Sequence, residues 1–146
     1  MEKHVKSTNG NPRVLIIDDR PAIRLVFRDF LDVLGYESDA ACDGEDGVAM
    51  LAAAPELYGL VVTDMKMPGM SGLDVAAEVR RIAPGTEVLI VSGSAVPAEV
   101  EHIESLGYSF IHKPVTLRDF TAAVTRAFAA QRSEGELVEA DLVGAR

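Results

Sequence analysis

The 146-residue chain has one cysteine, Cys42, so no disulfide can form within it, and a reducing cytoplasm is the expected setting. It has no long hydrophobic run: the longest uninterrupted apolar stretch, Val48 to Ala54, is far too short to span a bilayer. Its first residues, MEKHVKSTNGNP, lack the apolar centre of a secretory signal. Positive charge is also scarce. Against 23 acidic residues stand 14 Lys and Arg, a net charge of -9, which argues against nucleic-acid backbone contact as the main activity. Internal repeats and low-complexity tracts are missing. With 48% hydrophobic and 25% charged residues, the composition is that of one soluble globular domain.

Within those bounds the chain is regular. Residues 1–12 are polar, end in Asn9, Gly10, Asn11 and Pro12, and read as a flexible N-terminal segment. From Arg13 onward five short apolar runs appear: Val14–Ile17, Tyr36–Ala40, Leu60–Thr63, Val88–Val91 and Tyr108–Ile111. Segments of helical length separate them. The first has Ile23, Val26, Phe27, Phe30, Leu31 and Leu34 at spacings of three and four, which predicts one buried stripe, and Gly35 stops it. The last carries Phe120, Ala123, Val124, Ala127 and Phe128. Five alternations of strand and helix imply a parallel sheet covered on both faces. A folded domain is therefore expected over 13–130. Residues 131–146 read as a frayed acidic tail, with Val138 and Leu142 able to add a helical turn.

In an open parallel sheet the reactive edge is the carboxyl end of the strands. The first run ends in Asp18-Asp19, the third in Asp64, the fourth in Ser92-Gly93 and the fifth in Lys113-Pro114. In a flavodoxin-like order 2-1-3-4-5 these ends converge on one shallow pocket. Three carboxylates within about 4–6 Å repel one another by several kcal/mol, so packing alone would not gather them, whereas a divalent cation would. Mg²⁺ fits such a set, because it takes hard oxygen ligands and commonly bridges to phosphate. With Lys113 and the Ser92 hydroxyl beside it, the set describes a cradle for a phosphoryl group, and a carboxylate in it can serve as nucleophile.

Each residue alone has a plainer reading. Asp18 or Asp19 could cap the next helix, although Pro21 suits the first helical position and puts the cap slot on Arg20. Asp64 alone could be a loop acid and Lys113 a solvated lysine. Their coincidence at corresponding strand ends favours a shared role. Asp43 and Asp46 look like a helix start, His4, His102 and His112 have no metal-ligand spacing, and Met65, Met67 and Met70 read as packing.

In combination the motifs VLIIDD (14–19), VVTDMKMPGMSG (61–72), VSGS (91–94) and HKP (112–114) resemble the receiver domain of two-component response regulators over about residues 13–130. The resemblance implies an α/β fold, a (βα)5 three-layer sandwich with a five-stranded parallel sheet. It implies that Asp64 is the phosphoacceptor, and that Asp18, Asp19, Asp64 and the Lys66 backbone carbonyl hold Mg²⁺. Ser92 and Lys113 would contact phosphoryl oxygens, and Lys113-Pro114 would be cis. Ser92 and Phe110 would form the switch, with Phe110 where many relatives carry Tyr. Lys66 and Ser94 occupy positions that tune phosphoryl lifetime in the family.

The implied partners are a sensor histidine kinase or histidine phosphotransfer protein and a downstream protein partner. The family also allows a homodimer through the face of the fourth helix, fifth strand and fifth helix. No direct nucleic-acid or membrane partner is expected. The chain is expected to be a phosphoacceptor that catalyses only its own phosphorylation and dephosphorylation, and its start at Met1 favours a stand-alone protein. Three other functions compete with this one. An FMN-binding carrier conflicts with DDRP after the first strand, which would repel a phosphate in the absence of a metal. An aspartyl phosphatase wants an acid where Lys66 stands. A degenerate receiver, kept as an interaction module, usually lacks one of the five site residues, and all five are present here.

Overall fold

The computed structural model describes the backbone of residues 10–144 and the side chains of residues 10–131. Most of the expected flexible segment 1–12 therefore lies outside the described residues, as does His4.

Ten elements alternate without exception: β1 (Arg13–Ile17), α1 (Pro21–Leu34), β2 (Ser38–Ala41), α2 (Gly44–Ala53), β3 (Tyr58–Asp64), α3 (Gly72–Ile82), β4 (Glu87–Ser92), α4 (Pro97–Ser105), β5 (Ser109–His112) and α5 (Leu117–Gly144). All strand pairs are parallel, and the sheet order is β2-β1-β3-β4-β5. The three central strands are buried nearly throughout, which is why their sequences read as continuous apolar runs instead of alternating ones.

Alternate residues of those strands feed two separate cores. Leu15, Ile17, Val61, Val88 and Ile90 face α2, α3 and α4, where Leu51, Val75, Val79, Ile103 and Met67 complete the layer and Met50, Met65 and Met70 pack against it. Val14, Ile16, Leu60, Val62, Leu89 and Val91 face α1 and α5. There the filling is aromatic. Phe27 stacks on Phe120 with centroids 5.1 Å apart, Phe30 lies 5.5 Å from Phe120, and Tyr36 stacks on Phe128 at 4.8 Å.

The helix ends obey local rules. Pro21 opens α1 with Arg20 as the N-cap, and Gly35, at φ 88°, closes it in the left-handed region that glycine tolerates. Asp43 caps α2 by accepting from the Asp46 N–H. A reciprocal Ser71–Asp74 box opens α3. The expected stripe on α1 needs one correction: Val26 is 40% exposed, because the Phe27–Phe30–Leu31 side already fills the space over the sheet. Beyond Ala130, where an acidic tail is expected, the backbone continues as helix and α5 runs to Gly144. Glu, Ala, Leu and Gln in this stretch are good helix formers, and Gly135 opposes them most within it. Among the described residues no helix is long and apolar enough to cross a membrane.

Candidate functional site

The strand ends converge as their sequence positions require. β3 carries Asp64 as its last residue, in register with Val91 of β4, and Ser92 in turn pairs with His112 of β5. β1 stops at Ile17, so Asp18 and Asp19 stand beside Asp64 on the same sheet edge. One carboxylate oxygen from each of Asp18, Asp19 and Asp64 lies within 4.8 Å of the others. Asp18 and Asp64 are buried, with 1% and 7% of their surface exposed, whereas Asp19 is exposed at the rim.

Lys113 balances part of this charge. Its Nζ lies 2.9 Å from Asp64 Oδ1 and 3.2 Å from Asp18 Oδ2. The Lys113 N–H donates to the Ser92 carbonyl at 2.9 Å, and the Lys113-Pro114 peptide is cis, as expected. Burial pushes the Asp64 carboxyl above its ordinary value. The Lys113 hydrogen bond and charge pull it down, and Asp18 and Asp19 push it up again. One ammonium thus leaves a net excess of negative charge in a partly desolvated place. Hard oxygen donors with uncompensated charge suit a divalent cation such as Mg²⁺, so the residues present fit the group expected there.

The loop after Asp64 is tightly held. The Met65 N–H donates to the Val91 carbonyl at 2.8 Å, the Gly72 N–H to the Met65 carbonyl at 2.8 Å, and the Thr63 hydroxyl to the Asp64 carbonyl at 3.0 Å. Gly72 is required by proximity: a methyl on its Cα would lie 2.6 Å from the Asp64 carbonyl oxygen. Lys66 stands two residues after Asp64 in this loop, with its side chain exposed. Ser92 is buried and its Oγ accepts from the Ser94 N–H at 3.2 Å, while Ser94 itself is exposed.

Phe110 is buried against the methionine-containing core, and its ring meets His112 edge-on with centroids 4.9 Å apart. His102 and His112 are exposed, and Met65, Met67 and Met70 pack into the core. A second group of possible ligands, Cys42, Asp43 and Asp46, sits at the start of α2. Asp43 there is occupied as the helix cap.

One residue near the carboxylates carries no mark in the sequence pattern. Arg24, on α1, donates from Nη1 to the Asp18 backbone carbonyl at 2.7 Å. Periodicity could have marked it only weakly, as a cation in the first turn of a helix, where positive charge is disfavoured.

The chain is similar to proteins already known. A family profile described as the response regulator receiver domain matches residues 14–125. The chain is 32% identical over 114 residues to the autoinducer 1 sensor kinase/phosphatase LuxN of Vibrio campbellii, covering 78% of this chain and 13% of that protein. It is 32% identical over 112 residues to the sensor histidine kinase RcsC of Escherichia coli, covering 76% of this chain and 12% of that one. The chain thus spans about an eighth of the length of these relatives. Among solved structures, a response regulator receiver domain protein from Clostridium thermocellum superposes with a TM-score of 0.78 at 28% identity, over 84% of this chain and 98% of that one. A CheX-CheY-BeF3-Mg complex from Borrelia burgdorferi shares the fold, with a TM-score of 0.76 at 24% identity over 80% of this chain and 89% of that one.

Proposed function

The chain belongs to the response regulator receiver family of two-component systems, and from that premise we propose that it accepts a phosphoryl group on Asp64 in a Mg²⁺-dependent transfer from a histidine kinase or histidine phosphotransfer protein. The observation that carries this reading is the convergence of Asp18, Asp19 and Asp64 with Lys113 bridging two of them. Asp18, Asp19, Asp64 and the Lys66 carbonyl would hold the metal. When bound, Mg²⁺ supplies positive charge that neutralises phosphoryl oxygens and the carboxylate cluster.

The chain's own groups divide the remaining work. Lys113 holds Asp64 Oδ1, which would leave Oδ2 to act as the nucleophile. Attack by that oxygen forms an acyl phosphate as the donor's phosphorus–nitrogen bond breaks, and the departing imidazole keeps the electron pair. The Lys113 ammonium then shifts its contact from carboxylate to phosphoryl oxygen. A cavity of about 390 Å³ opens beside Lys113, walled by Arg20, Ile23, Val26, Phe27, Pro114 and Val115, and offers a donor protein an apolar seat next to the reacting atoms.

Ser92 and Phe110 would carry the signal away. A Ser92 hydroxyl drawn toward phosphate gives up its bond to the Ser94 N–H, and Phe110 on the neighbouring strand repacks with it. Phosphate changes the population only by favouring one packing over the other. The face of α4, β5 and α5 then meets a downstream protein or a second copy of the chain.

Incubation with acetyl phosphate or phosphoramidate and Mg²⁺ tests the assignment. One hydroxylamine-labile phosphate should appear on the wild type and none on Asp64→Asn. A stable phosphate on the variant, or none on the wild type, would refute it.

A further inference from the structure

Arg24 closes the first turn of α1, a turn that contains no acidic residue. A helix start concentrates positive partial charge, so a guanidinium there is electrostatically misplaced unless something nearby accepts from it. The acceptor is the Asp18 carbonyl, 2.7 Å from Nη1. Asp18 is thereby held at four points. Its N–H donates to the Ala41 carbonyl at 3.3 Å, its Oδ1 accepts from the Arg20 N–H at 2.9 Å, its Oδ2 accepts from Lys113 at 3.2 Å, and its carbonyl accepts from Arg24. The first extends the pairing of β1 with β2 by one bond, and the second closes the turn into α1. The fourth is made by a long side chain that gives up rotamer freedom to make it.

That fourth bond acts on the next residue in the chain. The Asp18 carbonyl belongs to the planar peptide that leads into Asp19, so fixing its direction fixes the plane from which the Asp19 side chain departs. Asp19 is the exposed member of the carboxylate trio and lacks the burial that immobilises Asp18 and Asp64. We propose that Arg24 is a positioning residue for the metal site, holding the Asp18 carbonyl so that Asp19 presents its carboxylate beside Asp18 and Asp64. The inference rests on reading those three carboxylates as a Mg²⁺ site.

The sign of one effect distinguishes positioning from charge. Arg24 is itself a cation near a cation site. If it acted through charge alone, removing it would tighten Mg²⁺ binding. If it positions Asp19, removing it weakens binding, as loss of outer groups that orient metal ligands commonly does by about 10–100-fold.

The test uses the full chain without phosphodonor. MgCl₂ is titrated into wild type, Arg24→Met and Arg24→Lys while the amide resonances of Asp18, Asp19 and Asp64 are tracked by NMR. Folded molecules alone contribute these resonances, so a loss of stability leaves the fitted affinity unchanged. We expect about tenfold weaker binding for Arg24→Met, with the metal-free Asp19 amide displaced more than that of Asp64. Arg24→Lys, which keeps a donor and the charge, should recover most of the affinity. Unchanged or tighter binding in Arg24→Met overturns the proposal, as does an Arg24→Lys affinity no better than that of Arg24→Met. Absence of any Mg²⁺ response in the wild type removes the metal site and this role together, whereas a normal wild-type response beside an unaffected Arg24→Met removes the role alone.

Discussion

Replacing Gly72 by alanine tests how closely the loop after Asp64 and α3 are fitted. The added methyl would lie 2.6 Å from the Asp64 carbonyl oxygen and 2.9 Å from the Met65 Cα. Both are backbone atoms, and neither can swing aside as the end of a side chain could. Either the start of α3 or the loop must move by several tenths of an ångström, stretching the 2.8 Å bond from the Gly72 N–H to the Met65 carbonyl. Forced overpacking costs about 1–3 kcal/mol, and disturbing the adjacent Ser71–Asp74 box adds roughly 1 kcal/mol. A total of about 2–4 kcal/mol corresponds to a fall in Tm on the order of 10 °C for a domain of this size. Urea unfolding monitored by circular dichroism measures it, with Gly85→Ala as the control. Gly85 has nothing within 4 Å of the position a methyl would take, and its backbone is not left-handed, so that variant should stay within about 0.5 kcal/mol of wild type. Phosphorylation by acetyl phosphate should slow in Gly72→Ala, because the displaced backbone is that of Asp64 itself. A Gly72→Ala protein as stable as the control, with an unchanged m-value, would refute the reasoning.

The same geometry sets three more outcomes. Burial, with Asp18 and Asp19 opposing Lys113, raises the folded Asp64 pKa, so this group's contribution is complete below the ordinary carboxylate range and is lost as pH rises through its folded value; metal-free Asp64→Asn should therefore be more stable than wild type at neutral pH by about 1 kcal/mol, a gain that vanishes in acid. Asp39 behaves oppositely. Desolvation raises its pKa, but hydrogen bonds from Arg13 and Tyr58, helped by the charges of Arg13 and Arg28, outweigh it and leave the pKa lowered. Its contribution is present above the ordinary carboxylate range and lost as pH falls through the folded value, so Asp39→Asn should cost about 1 kcal/mol at neutral pH and progressively less in acid, as denaturation at several pH values would show. Ser92→Ala should still accept phosphate on Asp64 yet lose most of the beryllofluoride-induced NMR shifts around Phe110, and a full wild-type response would place the signal on another route.

Much of this architecture is legible in the chain because parallel sheets bury both faces of their central strands. Runs such as Val14–Ile17 and Leu60–Thr63 therefore stand out without any alternation. The carboxylate site is legible for a related reason: acids placed where such runs stop have no packing use. Pattern fails where partners distant in sequence decide. The second apolar run, Tyr36–Ala40, misplaces β2, which spans Ser38–Ala41, since its polar residues are held by Arg13, which donates to both Asp39 and Glu37. β3 starts two residues before Leu60, at Tyr58, whose hydroxyl donates to Asp39 at 2.7 Å. Arg24 is only weakly marked in the sequence because its partner is a backbone carbonyl, which every residue carries and no motif records. Val26 fits the helical stripe by spacing, yet the stripe is wider than the sheet surface available to it.

The division of the interior into an aromatic layer and a methionine-containing layer makes the domain mechanically lopsided. Phe27, Phe30 and Phe120 wedge one another between α1, α5 and the sheet, so none of the three rings can move without opening a hole that the other two cannot fill. Across the sheet, Met50, Met65, Met67 and Met70 pack on unbranched side chains with several rotatable bonds, which refill space at little cost. Phe110 belongs to this pliant side. The sheet thus acts as a plate braced on one face and cushioned on the other. Strain introduced at its carboxyl edge would find easier relief among the methionines than among the three packed rings.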